Sequence, residues 1–413
     1  MKIDHMICSV CGTQYEPDEV VYTCPKDGGN LDMIPDYAQL SALVRPHDIL
    51  DSGESSLWRY LPLLPVSDPG GEHTPIHRAG WTPVYRPLSL GKDLNLEELW
   101  VKDESPNPSA SFKDRASAIV MARAKEINAE VVVAASTGNA GAANACMAAA
   151  LGMRAVIFAP KTAPQAKIAQ LLVFGAKVLL LDGNYDQAFD LSIEASHEFG
   201  WYNRNTGFNP YTAEGKKTAA FEIWEQVLIN QSNNSKDLTI FIPVGDGNII
   251  SGIYKGFKDL LELGWIDKIP RLIGVQAEGS AAIANAFKQG VNSITPVQAN
   301  TIADSISVDL PRDGLRALRA VRESNGTYVT VSDQAILNAI PSLGKVGIFA
   351  EPAGATAYAG LVAALENNII QKSDPVLVLN TGSGLKDVKA CMQAVQSAQI
   401  IEPTLDAVKK VMF

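Results

Sequence analysis

Short β-rich runs separated by helix-length segments constrain this chain more than any other feature. Leu99-Trp100-Val101-Lys102, Val131 to Ala135, Ala155-Val156-Ile157-Phe158 and Lys177 to Leu181 are followed by Leu238 to Ile242, Arg271 to Val275 and Val376 to Leu379. Runs this apolar do not alternate polar and apolar faces, so they predict parallel strands covered on both sides by helices, an α/β fold of open parallel sheets. With 413 residues, one core is too few, and two principal domains plus a small appendage are expected.

Two regions stand outside this alternation. Residues 1–40 carry three of the five cysteines, as Cys8-x-x-Cys11 and Cys24-Pro25-Lys26-Asp27, in a turn-rich segment resembling a zinc ribbon. Asp27 stands where a fourth cysteine is usual, which leaves two readings: a carboxylate completing a Cys8, Cys11, Cys24, Asp27 zinc site, or a ribbon held by packing alone. The stretch from about Leu40 to Leu96 is rich in proline and reads as an irregular segment wrapping over the body. Cys146 lies in an alanine-rich run and is expected in the core, as is Cys391.

Composition excludes several classes. Apolar residues are 46% and charged residues 19%, which fits neither disorder nor a coiled coil. A net charge of -10 offers no footprint for nucleic acid. The chain shows no apolar run of a signal peptide and none of the roughly 18 residues a membrane span needs, so a cytoplasmic address is expected, with no membrane partner. No Walker motif or GxGxxG after a strand is present, and the five histidines form no ligand pair on one helix face.

Parallel sheets collect their chemistry at the carboxyl ends of strands, and four places there hold residues that packing does not require. Ser111-Phe112-Lys113-Asp114-Arg115 opens a helical pattern. Ser111 and Asp114 have the spacing of a capping box, which puts Lys113 in the first turn, where the helix dipole disfavours the ammonium and favours a neutral nucleophile. Alone, such a lysine reads as a solvated side chain; its three companions argue otherwise. Ser136-Thr137-Gly138-Asn139 follows a strand and starts a helix whose amides suit a carboxylate or phosphate. Gly245-Asp246-Gly247-Asn248-Ile249 does the same with glycines that allow close approach to an anion. Thr381-Gly382-Ser383-Gly384 closes the set with hydroxyls at a strand end.

With these segments the chain resembles the threonine synthases, within the fold-type II pyridoxal-phosphate (PLP) enzymes that include threonine dehydratase and cysteine synthase. Beyond the four segments, Asn209-Pro210-Tyr211, Ala303-Asp304-Ser305-Ile306-Ser307 and Glu351-Pro352-Ala353-Gly354-Ala355 follow in family order. The resemblance implies a PLP Schiff base on Lys113, with Phe112 beside it, Asn139 at the cofactor's 3-hydroxyl oxygen, Gly245 to Ile249 around its phosphate and Thr381 facing its ring nitrogen. It implies that Ser136, Thr137 and Gly138 bind the substrate carboxylate and that the freed Lys113 amine moves protons. It further implies a homodimer, a small mobile domain over 105–205, and a large PLP-binding domain over 41–104 and 206–413.

Three positions depart from the family. Ala140-Gly141 stands where hydroxyl residues are usual, and Thr212 where an arginine follows Asn-Pro-Tyr. Both belong to the site for the substrate phosphate, so another cation, Lys216 or Lys217, is expected to compensate. Asp246 is an anion in a shortened phosphate loop and should point away from that phosphate. The leading expectation is a PLP-dependent lyase that converts O-phosphohomoserine and water to threonine and phosphate. The alternatives are elimination from threonine or serine, β-replacement of the cysteate synthase kind, and a PLP fold that has lost catalysis and serves as a binding module.

Overall fold

The computed structural model describes residues 1–163, 165–231 and 237–412. Three sheets organise them. The first is antiparallel, in the order β2-β1-β3, from Ile3–Cys8 (β1), Gln14–Tyr15 (β2) and Leu31–Pro35 (β3). The large sheet draws on Val84–Tyr85 (β4), Leu99–Asp103 (β5), Thr239–Pro243 (β10), Arg271–Ala277 (β11), Thr327–Val331 (β12) and Val376–Asn380 (β13), in the order β12-β11-β10-β13-β5-β4. All of its pairings are parallel except β4 with β5. The third sheet is wholly parallel, β8-β7-β6-β9, from Val131–Ala135 (β6), Arg154–Pro160 (β7), Lys177–Leu181 (β8) and Tyr202–Asn203 (β9).

Burial follows the sequence pattern. Every residue of β6, β10 and β13 is buried, as strands covered on both faces must be. The edge strand β8 is half exposed. Each of the seven apolar runs forms a strand, whereas the additional edge strand β12 has an exposed threonine and half-buried residues and carries a weaker apolar signal. The proline-rich segment is more regular than expected: it contains helices Tyr37–Leu43, Pro46–Leu50 and Leu88–Leu94 as well as two 3-10 turns.

Glycines set the closest helix contact. Helix Tyr211–Gln226 lies against helix Asn248–Glu262 so tightly that a Cβ on Gly252 would stand 2.6 Å from Lys216 Cβ, and one on Gly256 would stand 2.4 Å from the Lys217 carbonyl oxygen. Any side chain there would push the helices apart, moving Lys216 with them. The N-terminal unit is tied to β9 and to helix Gly314–Glu323: the Tyr22 hydroxyl accepts from the Asn203 amide at 2.9 Å, and Asp32 accepts from Arg316 at 2.8 Å. Cys146 and Cys391 are buried, as their surroundings predict.

Candidate active site

The strand ends of the large and third sheets open on one cavity of about 430 Å³. Phe112, Lys113, Ser136, Thr137, Gly138 and Asn139 line it, as do Gly245, Asp246, Gly247, Asn248, Ile249, Lys216 and Thr381. Sequence reasoning therefore named residues spread from Phe112 to Thr381 that the fold brings to one wall. Lys217 is not among them. Its ammonium is buried against Glu214 at 2.7 Å and Asp259 at 2.8 Å, so the expectation that it compensates for Thr212 is corrected. Carboxylates already hold that charge on the far side of the helix.

Lys113 begins helix Lys113–Glu126, but the capping box expected before it does not form. The Asp114 carboxylate instead accepts from the Ser109 amide at 2.6 Å and the Ser109 hydroxyl at 2.5 Å, while the buried Ser111 hydroxyl has no partner among the described residues. A loop closed on itself in this way fixes the lysine's approach without using the helix amides. The segment is also tied to the end of β13, because the Phe112 amide donates to the Thr381 carbonyl at 2.9 Å. Thus Lys113 and Thr381 are held in register by backbone.

Burial lowers the Lys113 pKa. Asp246 and Glu351 oppose that lowering and Arg204 adds to it, so desolvation is the leading cause. No described side chain forms an ion pair with its ammonium, which leaves the amine free to react. Asn139 donates to Glu351 at 2.8 Å and to Ser305 at 3.3 Å. Burial pushes the Glu351 carboxyl up to about 7, against the pull of Lys386, the Asn139 hydrogen bond and Lys113. Burial also raises the Asp246 pKa, and its carboxylate accepts from the Arg312 amide at 3.3 Å.

Gly247 has φ +93°, and a Cβ there would meet the Asp313 carbonyl oxygen at 2.8 Å; only glycine makes this turn into the helix beginning at Asn248. The first amides of that helix have no intrahelical acceptor. A phosphate-sized anion with an attached aldehyde fits this donor set: a glycine-lined helix start for the anion, a desolvated and unpaired lysine for the aldehyde, and a shared cavity between them. Gly141 explains one departure from the family. A Cβ there would stand 2.0 Å from the Ser136 carbonyl oxygen, so no hydroxyl side chain fits at this position.

Sequence reasoning missed several lining residues, Tyr185, Arg312 and Arg204 among them. Glu351 was named in a motif without a role, and Arg204 was not singled out at all. The signal for Arg204 was weak because it follows the two-residue strand β9, which has no apolar run to mark its end.

The pyridoxal-phosphate dependent enzyme family matches residues 77–382, and the chain belongs to it. Within that class the chain is 38% identical over 408 residues to the threonine synthase of Methanocaldococcus jannaschii, covering 98% of each chain. It is 36% identical to that of Methanosarcina acetivorans, covering 99% of this chain and 98% of the relative. Among solved structures, maize serine racemase superposes with TM-score 0.63 at 26% identity, over 73% of this chain and 88% of that one. Threonine deaminase isoform 2 of Solanum lycopersicum gives 0.63 at 24%, over 76% and 88%, a likeness of fold. The chain is a PLP-dependent lyase of fold type II, as its motif order predicts.

Proposed function

We propose that the chain converts O-phosphohomoserine and water to threonine and phosphate, with Lys113 as the residue that holds the cofactor. Near-complete coverage of threonine synthases carries this reading. Bound pyridoxal phosphate supplies an aldehyde for an amino group and a conjugated ring that accepts negative charge from neighbouring carbons.

The chain's own residues do the rest. Lys113 holds the aldehyde through Nζ, and its lowered pKa increases the neutral fraction that bonding and proton transfer need. Once freed, this amine takes and returns protons at the α, β and γ carbons. Gly245 to Ile249 would hold the cofactor phosphate, Asn139 its ring oxygen, and Thr381 its ring nitrogen, through a neutral hydroxyl that, unlike a carboxylate, would not strongly stabilise a protonated ring. Ser136, Thr137 and the amides starting helix Asn139–Ala150 hold the substrate carboxylate. Lys216 lines the same cavity, hydrogen-bonded to Asn248, and an anion bound there would favour its protonated form against the burial that lowers its pKa. Two ion pairs, Lys167 to Asp304 at 2.5 Å and Arg312 to Asp186 at 2.7 Å, join residues flanking the cavity and favour closure of a small domain, 105–205, over the larger one.

The reading is tested by borohydride reduction and digestion, which should map the pyridoxyl label to Lys113, and by phosphate release from O-phosphohomoserine. The absence of phosphate release, with oxo acid formed from serine or threonine instead, would move the chain to the elimination reading. Thr212 favours that second reading, because it removes the arginine the family places near the substrate phosphate. In the leading reading the protein is a cytoplasmic homodimer, a state that sedimentation equilibrium checks.

The N-terminal unit holds a structural zinc in the same proposal. The ligand atoms of Cys8, Cys11, Cys24 and Asp27 all lie within 4.8 Å of one another. Sulfurs bound to one tetrahedral zinc stand about 3.8 Å apart, and Cys11 Sγ and Cys24 Sγ are 3.8 Å apart. The Val10 and Cys11 amides donate to Cys8 Sγ at 3.3 and 3.5 Å, which would stabilise a thiolate. Elemental analysis should find about one zinc per chain, lost in Cys24→Ser with a lowered unfolding midpoint. A metal-free protein with unchanged stability in a zinc-supplied preparation would leave the ribbon held by packing alone.

A further inference from the structure

Arg204 is 1% exposed and lines the cavity, yet no described carboxylate lies within ion-pair distance of it. Its Nε donates to the Ser117 hydroxyl at 3.0 Å and its Nη1 to the Thr206 hydroxyl at 2.8 Å. These partners are neutral: they fix the plane of the guanidinium but do not balance its charge. Its Nη2 is buried with no hydrogen-bond partner among the described residues. A buried cation left in this state is costly unless something outside the chain completes it.

The surrounding charges strengthen the point. Lys113 and Lys216 line the same cavity, and the Lys216 pKa is forced well below its ordinary value by burial first, then by Lys113 and Arg204. Burial draws the Arg204 pKa down to about 10. Asp246 and Glu351 also face the cavity, but burial raises both of their pKa values. Such a wall calls for more than one anionic group.

Position in the sheet separates the anions. Arg204 follows β9, the parallel neighbour of β6, and its amide donates to the Val133 carbonyl at 2.8 Å. Its backbone therefore lies level with Ala134, two residues before Ser136 on the strand that leads into the Ser136-Thr137 turn, while the glycine loop follows β10 of the other sheet. We infer that Arg204 binds the phosphate group of the substrate, with Nη2 as its donor, and replaces the cation missing at position 212. Thr212 is buried, its hydroxyl donating to the Asn209 carbonyl at 2.7 Å, so that position offers no charge. The inference rests on the O-phosphohomoserine reading and names the residue that sets its phosphate specificity.

The test uses the PLP-loaded enzyme and Arg204→Gln and Arg204→Lys, compared by calorimetric binding of inorganic phosphate, binding of threonine, and steady-state kinetics. Loss of charge-assisted hydrogen bonds should weaken phosphate binding and raise KM for O-phosphohomoserine by about 10- to 100-fold in Arg204→Gln. Arg204→Lys should fall between the two, because it keeps the charge and loses the fork. Cofactor absorbance and threonine affinity should stay within about threefold, since threonine carries the carboxylate but no phosphate. Equal phosphate affinity in wild type and Arg204→Gln would overturn the inference. So would loss of cofactor, which would assign Arg204 to the cofactor phosphate, or an equal loss of threonine binding, which would assign it to the carboxylate. If wild type released no phosphate from O-phosphohomoserine yet bound inorganic phosphate through Arg204, the reaction assignment alone would fail.

Discussion

Replacing Arg115 should be the most destabilising single change near the site, although its side chain does not line the cavity. Its guanidinium donates to Glu104 twice, at 2.8 Å each, to Glu222 at 2.7 Å and again through Nη1, and to the Thr218 hydroxyl at 2.9 Å. Arg115, Glu104, Glu222 and Lys102 are all fully buried, so two cations balance two anions. Arg115→Met leaves two carboxylates facing one ammonium. The individual bonds do not simply add, because Glu104 keeps Thr82 and Asn107 as donors, and Glu222 keeps Lys102 and the Trp81 amide. What remains is one uncompensated buried charge, worth about 3–5 kcal/mol. Glu104→Gln in the Arg115→Met background restores neutrality and should recover about half of that loss. Burial alone would raise the Glu222 carboxyl, but Arg115 and Lys102 outweigh it and hold it down to about 2, against an ordinary 4.5. That stabilisation is present above pH 4.5 and fades as pH falls toward 2, so the gap between wild type and Arg115→Met should narrow over the same range. Urea unfolding followed by tryptophan fluorescence measures both effects. A loss below about 1 kcal/mol at pH 7, or a double variant no better than the single, would refute the charge-balance argument.

Two further changes probe the cavity's walls. Gly141→Ser supplies the hydroxyl that related enzymes carry, but its Cβ would meet the Ser136 carbonyl oxygen at 2.0 Å; kcat/KM should drop at least tenfold, and an improved phosphate affinity would show that the helix start yields. The Lys167 and Asp186 ion pairs are partly exposed, so Lys167→Ala and Asp186→Ala should each lower kcat/KM by no more than about fivefold, and wild type in high salt should approach the variants. A salt-independent loss of much larger size would mean that these side chains contact substrate.

The fold was legible where burial on both faces writes itself as an unbroken apolar run, as in β6, β10 and β13. It was illegible where strands are short or half exposed. β9 has two residues, and the arginine after it attracted no attention, although the site wall includes it. The Lys113 loop shows a different failure. Ser111 and Asp114 matched a local rule, but Ser109, two residues earlier, offers both an amide and a hydroxyl to the Asp114 carboxylate and displaces the Ser111 amide as its donor. Lys216 and Lys217 were indistinguishable by adjacency. Helix geometry turns neighbouring side chains about 100° apart, which sends one ammonium to Asn248 at the cavity and the other to Glu214 and Asp259.

Glu351 joins stability to the site. Its carboxylate accepts from Asn139 across sequence-distant elements, and a Cβ on Gly382 would stand 2.5 Å from Glu351 Oε1, so the group is enclosed. Burial raises its pKa from 4.5 to about 7, which means the folded chain binds a proton that the unfolded chain has released between these values. The raised pKa therefore makes folding progressively less favourable as pH climbs through that window, by roughly 3 kcal/mol at its upper limit. Glu351→Gln removes the ionisation yet keeps an oxygen for Asn139. Relative to wild type, its stability should rise between pH 5 and pH 8 and then level off, measured by urea unfolding of the PLP-loaded protein at each pH. A stability difference that does not change with pH would mean that the carboxyl titrates as it does in the unfolded chain, and that the Asn139 contact is made by an ion already balanced by neighbouring cations.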